Sequence, residues 1–217
     1  MTRFASVVFD VDSTLSSIEG IDWLAAQRGP EIAQRCESLT AEAMAGALPL
    51  EAVYLQRLAA IRPTAAELQA LGAEYCRTVQ PGAAELIAAL QAQGVRVHLV
   101  SGGLRAALLP LAAQLGVPAT ALHAVEVAPD DEGCLTLLDG DQPLATQRGK
   151  PHVVHYLALP APIAMIGDGS TDAAVRDVAH CTFIAYTGVA RRAAVVEKAA
   201  AEAPSFDALA ALLFTTS

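Results

Sequence analysis

Apolar residues follow two rhythms along this chain. Short stretches rich in apolar residues occur at 5–10, 95–100, 162–166 and 182–186. High apolar content over so few residues predicts strands buried in a sheet. Between them, apolar positions recur at helical spacing over 83–93, 104–115, 150–158, 172–179 and 189–200. The first two of these helices close on Gly94 and Gly116, glycine being the residue that best accepts the left-handed turn at a helix end. Strands alternating with short helices predict an α/β fold, a Rossmann-like parallel sheet core with helices on both faces. Segments 125–128 and 135–138 flank Asp130-Asp131-Glu132-Gly133 and predict a hairpin.

The stretch from Glu19 to about Thr78 has the helical rhythm alone. Pro30, Pro49 and Pro63 punctuate it, and proline is accommodated in a helix's first turn or the loop before it. Three or four short helices are expected there. The domain reading is therefore an α/β core at 1–16 and 79–217, with an all-helical insertion at 17–78 after the first strand.

Bulk properties narrow the function classes. The 217 residues carry 14 Lys and Arg against 23 Asp and Glu, for a net charge of −9. No basic stripe is present to neutralise a phosphate backbone, so no nucleic-acid partner is expected. Arg191-Arg192 is the densest basic spot and reads as a solvated helix face. Cys36, Cys76, Cys134 and Cys181 are far apart and read as buried thiols in a reducing compartment, not as disulfides or a zinc site. His152 and His155 lack a third ligand and read as packing or surface residues. The uncharged stretch 106–125 is interrupted by Pro110, Gly116 and Pro118, which predicts helix, turn and strand and no membrane span. The N-terminal apolar run is too short for a signal-peptide core, so a cytoplasmic location is expected. Monomer and homodimer both stay open.

Chemistry concentrates where strands end. The first strand runs into Asp10-Val11-Asp12-Ser13-Thr14, the second into Ser101-Gly102-Gly103, and a third into Gly167-Asp168-Gly169 followed by Asp172. Asp-x-Asp alone reads as a strand end and a polar turn. Three such ends in one parallel sheet are more specific, because ligands bind outside the carboxyl ends of the strands. Four carboxylates gathered there call for a cation, and an all-oxygen donor set favours magnesium. Ser101-Gly102-Gly103 before a helix offers a hydroxyl and backbone N–H groups to an anion. Lys150 opens a helix, where the dipole disfavours a cation, so a task in neutralising phosphate is indicated.

Asp-Val-Asp-Ser-Thr-Leu, Ser-Gly-Gly, a lysine and Gly-Asp-Gly-Ser-Thr-Asp, in that order, resemble the four motifs of the haloacid dehalogenase superfamily. Within it the resemblance is to the phosphatases that act on phosphoserine. It extends through Glu19-Gly20-Ile21-Asp22, Met44-Ala45-Gly46-Ala47-Leu48-Pro49 and Arg57-Leu58-Ala59-Ala60-Ile61, and covers nearly the whole chain.

That resemblance implies a mechanism and its residues. Asp10 would attack phosphorus and become an aspartyl phosphate. Asp12 would protonate the departing oxygen and later accept a proton from water. An unperturbed aspartate is about one part in a thousand protonated at pH 7, so a raised Asp12 pKa is expected. Mg2+ would be held by Asp10, Asp168 and the Asp12 carbonyl, with Asp172 orienting one of its waters. Ser101, Gly102, Lys150 and Thr171 would contact the phosphomonoester. The insertion would act as a cap, with Glu19 meeting the serine ammonium, Arg57 its carboxylate and Met44 lining the pocket. Leu50 replaces a phenylalanine common in relatives, which leaves the substrate range open. The implied reaction is release of L-serine and phosphate, the last step of serine biosynthesis, with salvage also open. The alternatives are a phosphatase or phosphotransferase acting on another small phosphomonoester, and a receiver-like signalling module.

Overall fold

The computed structural model describes residues 1–44 and 48–214. Strand β1 (Ser6–Phe9) is followed by four helices, α1 (Gly20–Ala26), α2 (Pro30–Met44), α3 (Leu50–Ile61) and α4 (Ala65–Arg77). Next come α5 (Ala83–Ala92), β2 (Arg96–Leu104), α6 (Arg105–Gln114) and β3 (Leu122–Val125). A hairpin of β4 (Val127–Pro129) and β5 (Leu135–Leu137) stands outside the main sheet. Then follow α7 (Gly149–Tyr156), β6 (Ile163–Gly167), α8 (Ser170–Ala173), β7 (Cys181–Tyr186), α9 (Ala193–Val196), β8 (Ala201–Ala203) and α10 (Phe206–Leu213).

The main sheet has six strands in the order β3-β2-β1-β6-β7-β8, and every pairing in it is parallel. Later strands add on one side of β1 through β2 and on the other through β6. This reversal leaves a crevice at the carboxyl ends of β1 and β6, where such sheets take ligands. Apolar side chains cover both faces of the sheet. Val7 and Phe9 point into one core with Leu99, Ile166 and Phe206, while Val8 points into the other with Val100, Met165 and Phe183.

The helical segment leaves and rejoins the sheet region at one point. Ser16 and Val79 form an isolated antiparallel bridge, the Ser17 N–H donates to Thr78 O at 3.0 Å, and the Gln80 N–H donates to Leu15 O at 2.8 Å. The prolines stand at helix starts: Pro30 opens α2, Pro49 precedes α3, and Pro63 precedes Thr64, the N-cap of α4. Thr64 accepts from the Glu67 N–H, and Glu67 accepts from the Thr64 N–H in return. Arg28 ties this cap to the preceding helix. Its guanidinium donates to Ile61 O at 2.7 Å, to Arg62 O at 3.1 Å, and to both carboxylate oxygens of Glu67.

Several expectations change. Ser101–Gly103 lie within β2, which runs to Leu104 across a register shift, and α6 starts only at Arg105. The loop and helix N-terminus expected at Ser101 are thus a strand end. The helix expected over 189–200 shrinks to the single turn α9, and Ala201–Ala203 forms an edge strand instead. Of the four cysteines only Cys36 is buried; Cys76, Cys134 and Cys181 are half-buried, and all four are free thiols. No helix among the described residues is long and apolar enough to cross a membrane.

Removing the α4 cap tests this local account. Thr64→Ala should lower stability by about 1 kcal/mol, read as a lower urea midpoint with an unchanged slope. An unchanged midpoint would mean that the Arg28–Glu67 pairing alone fixes the helix start.

Candidate active site

Asp10 follows the last residue of β1, and its N–H donates to Ile166 O at 2.9 Å, which pins it against β6. Its Oδ1 lies 2.7 Å from Lys150 Nζ. The same ammonium donates to Asp172 Oδ1 at 2.6 Å. Lys150 sits in the first turn of α7, buried among carboxylates instead of facing water. Burial would push its pKa down, but the attraction of Asp10 and Asp172 outweighs this and holds it above the usual lysine range. Asp172, in α8, is pushed up to about 7 by burial and by Asp10, with Lys150 pulling the other way.

Asp168 directly follows β6, and Asp172 folds back over it. The Gly169 N–H donates to Asp172 Oδ2 at 2.9 Å, and Gly167 is what lets that carboxyl come so near. A Cβ at residue 167 would lie 2.3 Å from Asp172 Cγ. Asp10, Asp168 and Asp172 each bring an oxygen within 4.8 Å of the others.

Asp12 is held quite differently. Its Oδ1 accepts from the Gly20 N–H at 2.7 Å and from the Tyr75 hydroxyl at 2.6 Å. Its Oδ2 accepts from the Ser101 hydroxyl at 3.2 Å, and the Gly103 N–H donates to that hydroxyl at 2.9 Å. The Asp12 pKa is raised, first by burial and then by Asp10, against the Tyr75 and Gly20 hydrogen bonds.

The remaining expected residues fall as follows. Glu19 is the N-cap of α1, and its carboxylate accepts from the Ser13 hydroxyl at 2.7 Å. Burial, and then Asp12, push Glu19 up to about 7. Arg57, on α3, pairs with Asp22 on α1, while its buried Nε has no hydrogen-bond partner among the described residues. Gly102 offers its carbonyl to the Tyr54 hydroxyl of α3 at 2.9 Å, a contact between helical segment and sheet. Thr171 stands in α8, beside Asp172. Met44 ends α2; its side chain lies, with Ala45–Ala47, outside the described residues.

One expectation is overturned outright. Arg192 is not on a solvated helix face. Its guanidinium pairs with Asp168 Oδ2, donates to the Asp168 carbonyl at 3.3 Å, and lies 3.7 Å from Glu19. Tyr54, Tyr75 and Arg192 are thus site neighbours that sequence reasoning missed. Arg192 carried the one visible signal, a basic pair after the last apolar strand run.

The donor set suits a hard divalent cation. Asp10, Asp12, Asp168 and Asp172 face only two cations, Lys150 and Arg192, so carboxyl groups outnumber positive charges four to two. That excess and the all-oxygen donor set match a hard divalent ion.

Residues 7–175 match the haloacid dehalogenase-like hydrolase family. Phosphoserine phosphatase of Mus musculus is 41% identical over 170 residues, covering 77% of this chain and 75% of the mouse protein. The Bos taurus phosphoserine phosphatase is 39% identical over the same coverage. Among solved structures, a phosphoserine phosphohydrolase-like protein from Francisella tularensis superposes with a TM-score of 0.85 at 26% identity, covering 96% of this chain and 99% of that one. With its strand-end carboxylates, buried lysine and parallel sheet, the chain belongs to the haloacid dehalogenase-like hydrolases, in the branch that contains the phosphoserine phosphatases.

Proposed function

We propose that this protein hydrolyses O-phospho-L-serine to L-serine and phosphate, with Mg2+ and through a phosphoaspartate. The observation that carries the reading is the Lys150 ammonium between Asp10 and Asp172, beside a second carboxyl, Asp12, whose pKa burial raises. A nucleophile and a proton donor two residues apart are what phosphomonoester cleavage needs.

Asp10 would attack phosphorus. As the new oxygen–phosphorus bond forms, the ester bond breaks and its electron pair leaves on the serine oxygen, which takes a proton from Asp12. Water then attacks the phosphoaspartate, returns a proton to Asp12 and frees Asp10. Ser101, the Gly102 N–H and Lys150 would hold the phosphoryl oxygens throughout, the fixed positive field being the main catalytic resource for this chemistry. Thr171 would add a further contact to the substrate. Mg2+, held by Asp10, Asp168 and the Asp12 carbonyl, would supply Lewis-acid neutralisation of phosphoryl charge, and Asp172 would orient a water of that ion.

The helical segment, 17–78, would be the cap that recognises the amino-acid end. Glu19 is an acid at the N-cap of α1, close to Asp12 and Ser13, and is suited to an ammonium. The unpaired Arg57 Nε is a buried donor that lacks an acceptor, and a substrate carboxylate would supply one. Met44 would line the same pocket. The relatives named as phosphoserine phosphatases support this choice of substrate, and the step fits the end of serine biosynthesis.

A phosphomonoester panel with magnesium tests the reading. L-phosphoserine should be preferred over D-phosphoserine, phosphothreonine, phosphoethanolamine and a sugar phosphate, and Asp10→Asn should abolish release of phosphate. Preference for another ester would keep the mechanism and reject the substrate, while a phosphoprotein stable for hours would favour phosphotransfer or signalling.

The pH dependence tests Glu19 separately. Only its ionised form attracts an ammonium, and in the free protein that form is lost as pH falls through about 7. Between pH 8 and 6 the ratio of kcat/KM for L-phosphoserine, wild type over Glu19→Gln, should therefore shrink about tenfold. A ratio that does not change with pH would remove Glu19 from ammonium recognition.

A further inference from the structure

Tyr75 lies on α4 with its side chain fully buried, and its place on the apolar face of that helix reads as simple core. Its hydroxyl nevertheless reaches past Gly20 to Asp12. A Cβ at residue 20 would lie 2.0 Å from that hydroxyl oxygen, so glycine there opens the path. Asp12 Oδ1 consequently holds two strong donors, the Tyr75 hydroxyl at 2.6 Å and the Gly20 N–H at 2.7 Å, one from α4 and one from α1. Oδ2 receives the longer Ser101 contact, at 3.2 Å. A carboxyl oxygen that accepts two hydrogen bonds is the one stabilised as a bare acceptor, and the proton of a neutral carboxyl then sits on the other oxygen.

We propose that Tyr75 is a positioning residue for proton transfer, whose hydroxyl makes Oδ2 of Asp12 the oxygen that protonates the leaving group. The inference rests on the phosphatase reading given above. Oδ2 is the oxygen on the Ser101 side, where the phosphoryl group would be held. In the first step the phosphorus–ester oxygen bond breaks, the oxygen–phosphorus bond to Asp10 forms, and the departing alkoxide takes the Oδ2 proton. In the second, the proton lost by the attacking water returns to Oδ2 as the phosphorus–Asp10 bond breaks. Tyr75 exchanges no proton; it holds the carboxyl in one orientation and leaves Oδ2, whose contact is the longer one to Ser101, for the exchange.

The test compares leaving groups. Tyr75→Phe deletes one oxygen atom and keeps the ring, and kcat/KM counts only the steps through departure of the first alcohol. A serine alkoxide needs a proton to leave, whereas p-nitrophenolate leaves as an anion. For Tyr75→Phe, kcat/KM should fall about 10- to 100-fold on L-phosphoserine, within the range general acid catalysis supplies, and less than about threefold on p-nitrophenyl phosphate. Gly20→Ala, which displaces the hydroxyl without deleting it, should show the same selective loss. Equal losses on the two esters, no loss on either, or failure of both variants to fold would make the hydroxyl structural and overturn the proposal. Wild-type protein inactive on phosphoserine, or activity that survives Asp10→Asn, would overturn the phosphatase reading and this inference with it, a result distinct from the others.

Discussion

The site depends on one buried ammonium group. Lys150 is 6% exposed and lies within 2.7 Å of two carboxylates, Asp10 and Asp172. Taking a lysine out of water is costly unless opposite charges meet it with good geometry. Here they do, and the balance of burial against attraction keeps the lysine charged. The converse matters equally. Without that cation, four neighbouring aspartates would be left with Arg192 alone to offset them. Lys150 therefore sits where it can neutralise the proposed nucleophile, and its charge would also be available to a phosphate dianion.

A parallel sheet makes this concentration of charge possible. Asp10 and Asp168 are the residues that directly follow β1 and β6, adjacent strands whose register is fixed by continuous pairing from Ser6–Ile163 to Phe9–Ile166. Their carboxylates are placed by the sheet, with apolar side chains packed on both faces behind them. The residue just beyond a buried strand is where a charge can be held rigidly and still face a crevice. Asp172 and Arg192 then reach back to this edge from α8 and from the start of α9.

The same physics decided what the sequence revealed. A polar residue at the end of a short, largely apolar stretch is conspicuous, so Asp10, Ser101 and Asp168 could be read as strand ends without a structure. The six-stranded parallel sheet followed from the alternation of apolar runs with helical stretches. Tyr75 could not be found that way, because a tyrosine at a buried helical spacing looks like any other core residue, and its link to Asp12 spans 63 positions. Arg192 was misread because its partner, Asp168, is brought near only by the turn after β7. Strand β8 is Ala-Glu-Ala, a sequence with little intrinsic strand preference, and it becomes extended by pairing with β7. In each case the decisive contact is long-range and leaves no periodicity behind.

Asp10 and Asp12 are neighbours in sequence with opposite dependencies. Asp10 is fixed by groups of the sheet and the elements beside it: β6, Lys150 and Asp172. Asp12 is fixed on one oxygen by α1 and α4, and the chain enters and leaves this helical segment through the Ser16–Val79 bridge. The proposed nucleophile thus belongs to the sheet and the proposed proton donor to the helices. Glu19 and Arg57, the groups proposed to read the amino-acid end, also come from the helical segment. A shift of α1 or α4 would disturb Asp12 and Glu19 together while leaving Asp10 and Lys150 in place. The groups proposed for recognition and for proton transfer are therefore linked through the helices, and the strand end proposed to hold the phosphoryl group touches them too, through Ser101 to Asp12 and Gly102 to Tyr54. An arrangement of this kind can vary its helices to accept other esters, but each such change must preserve the two hydrogen bonds that orient Asp12.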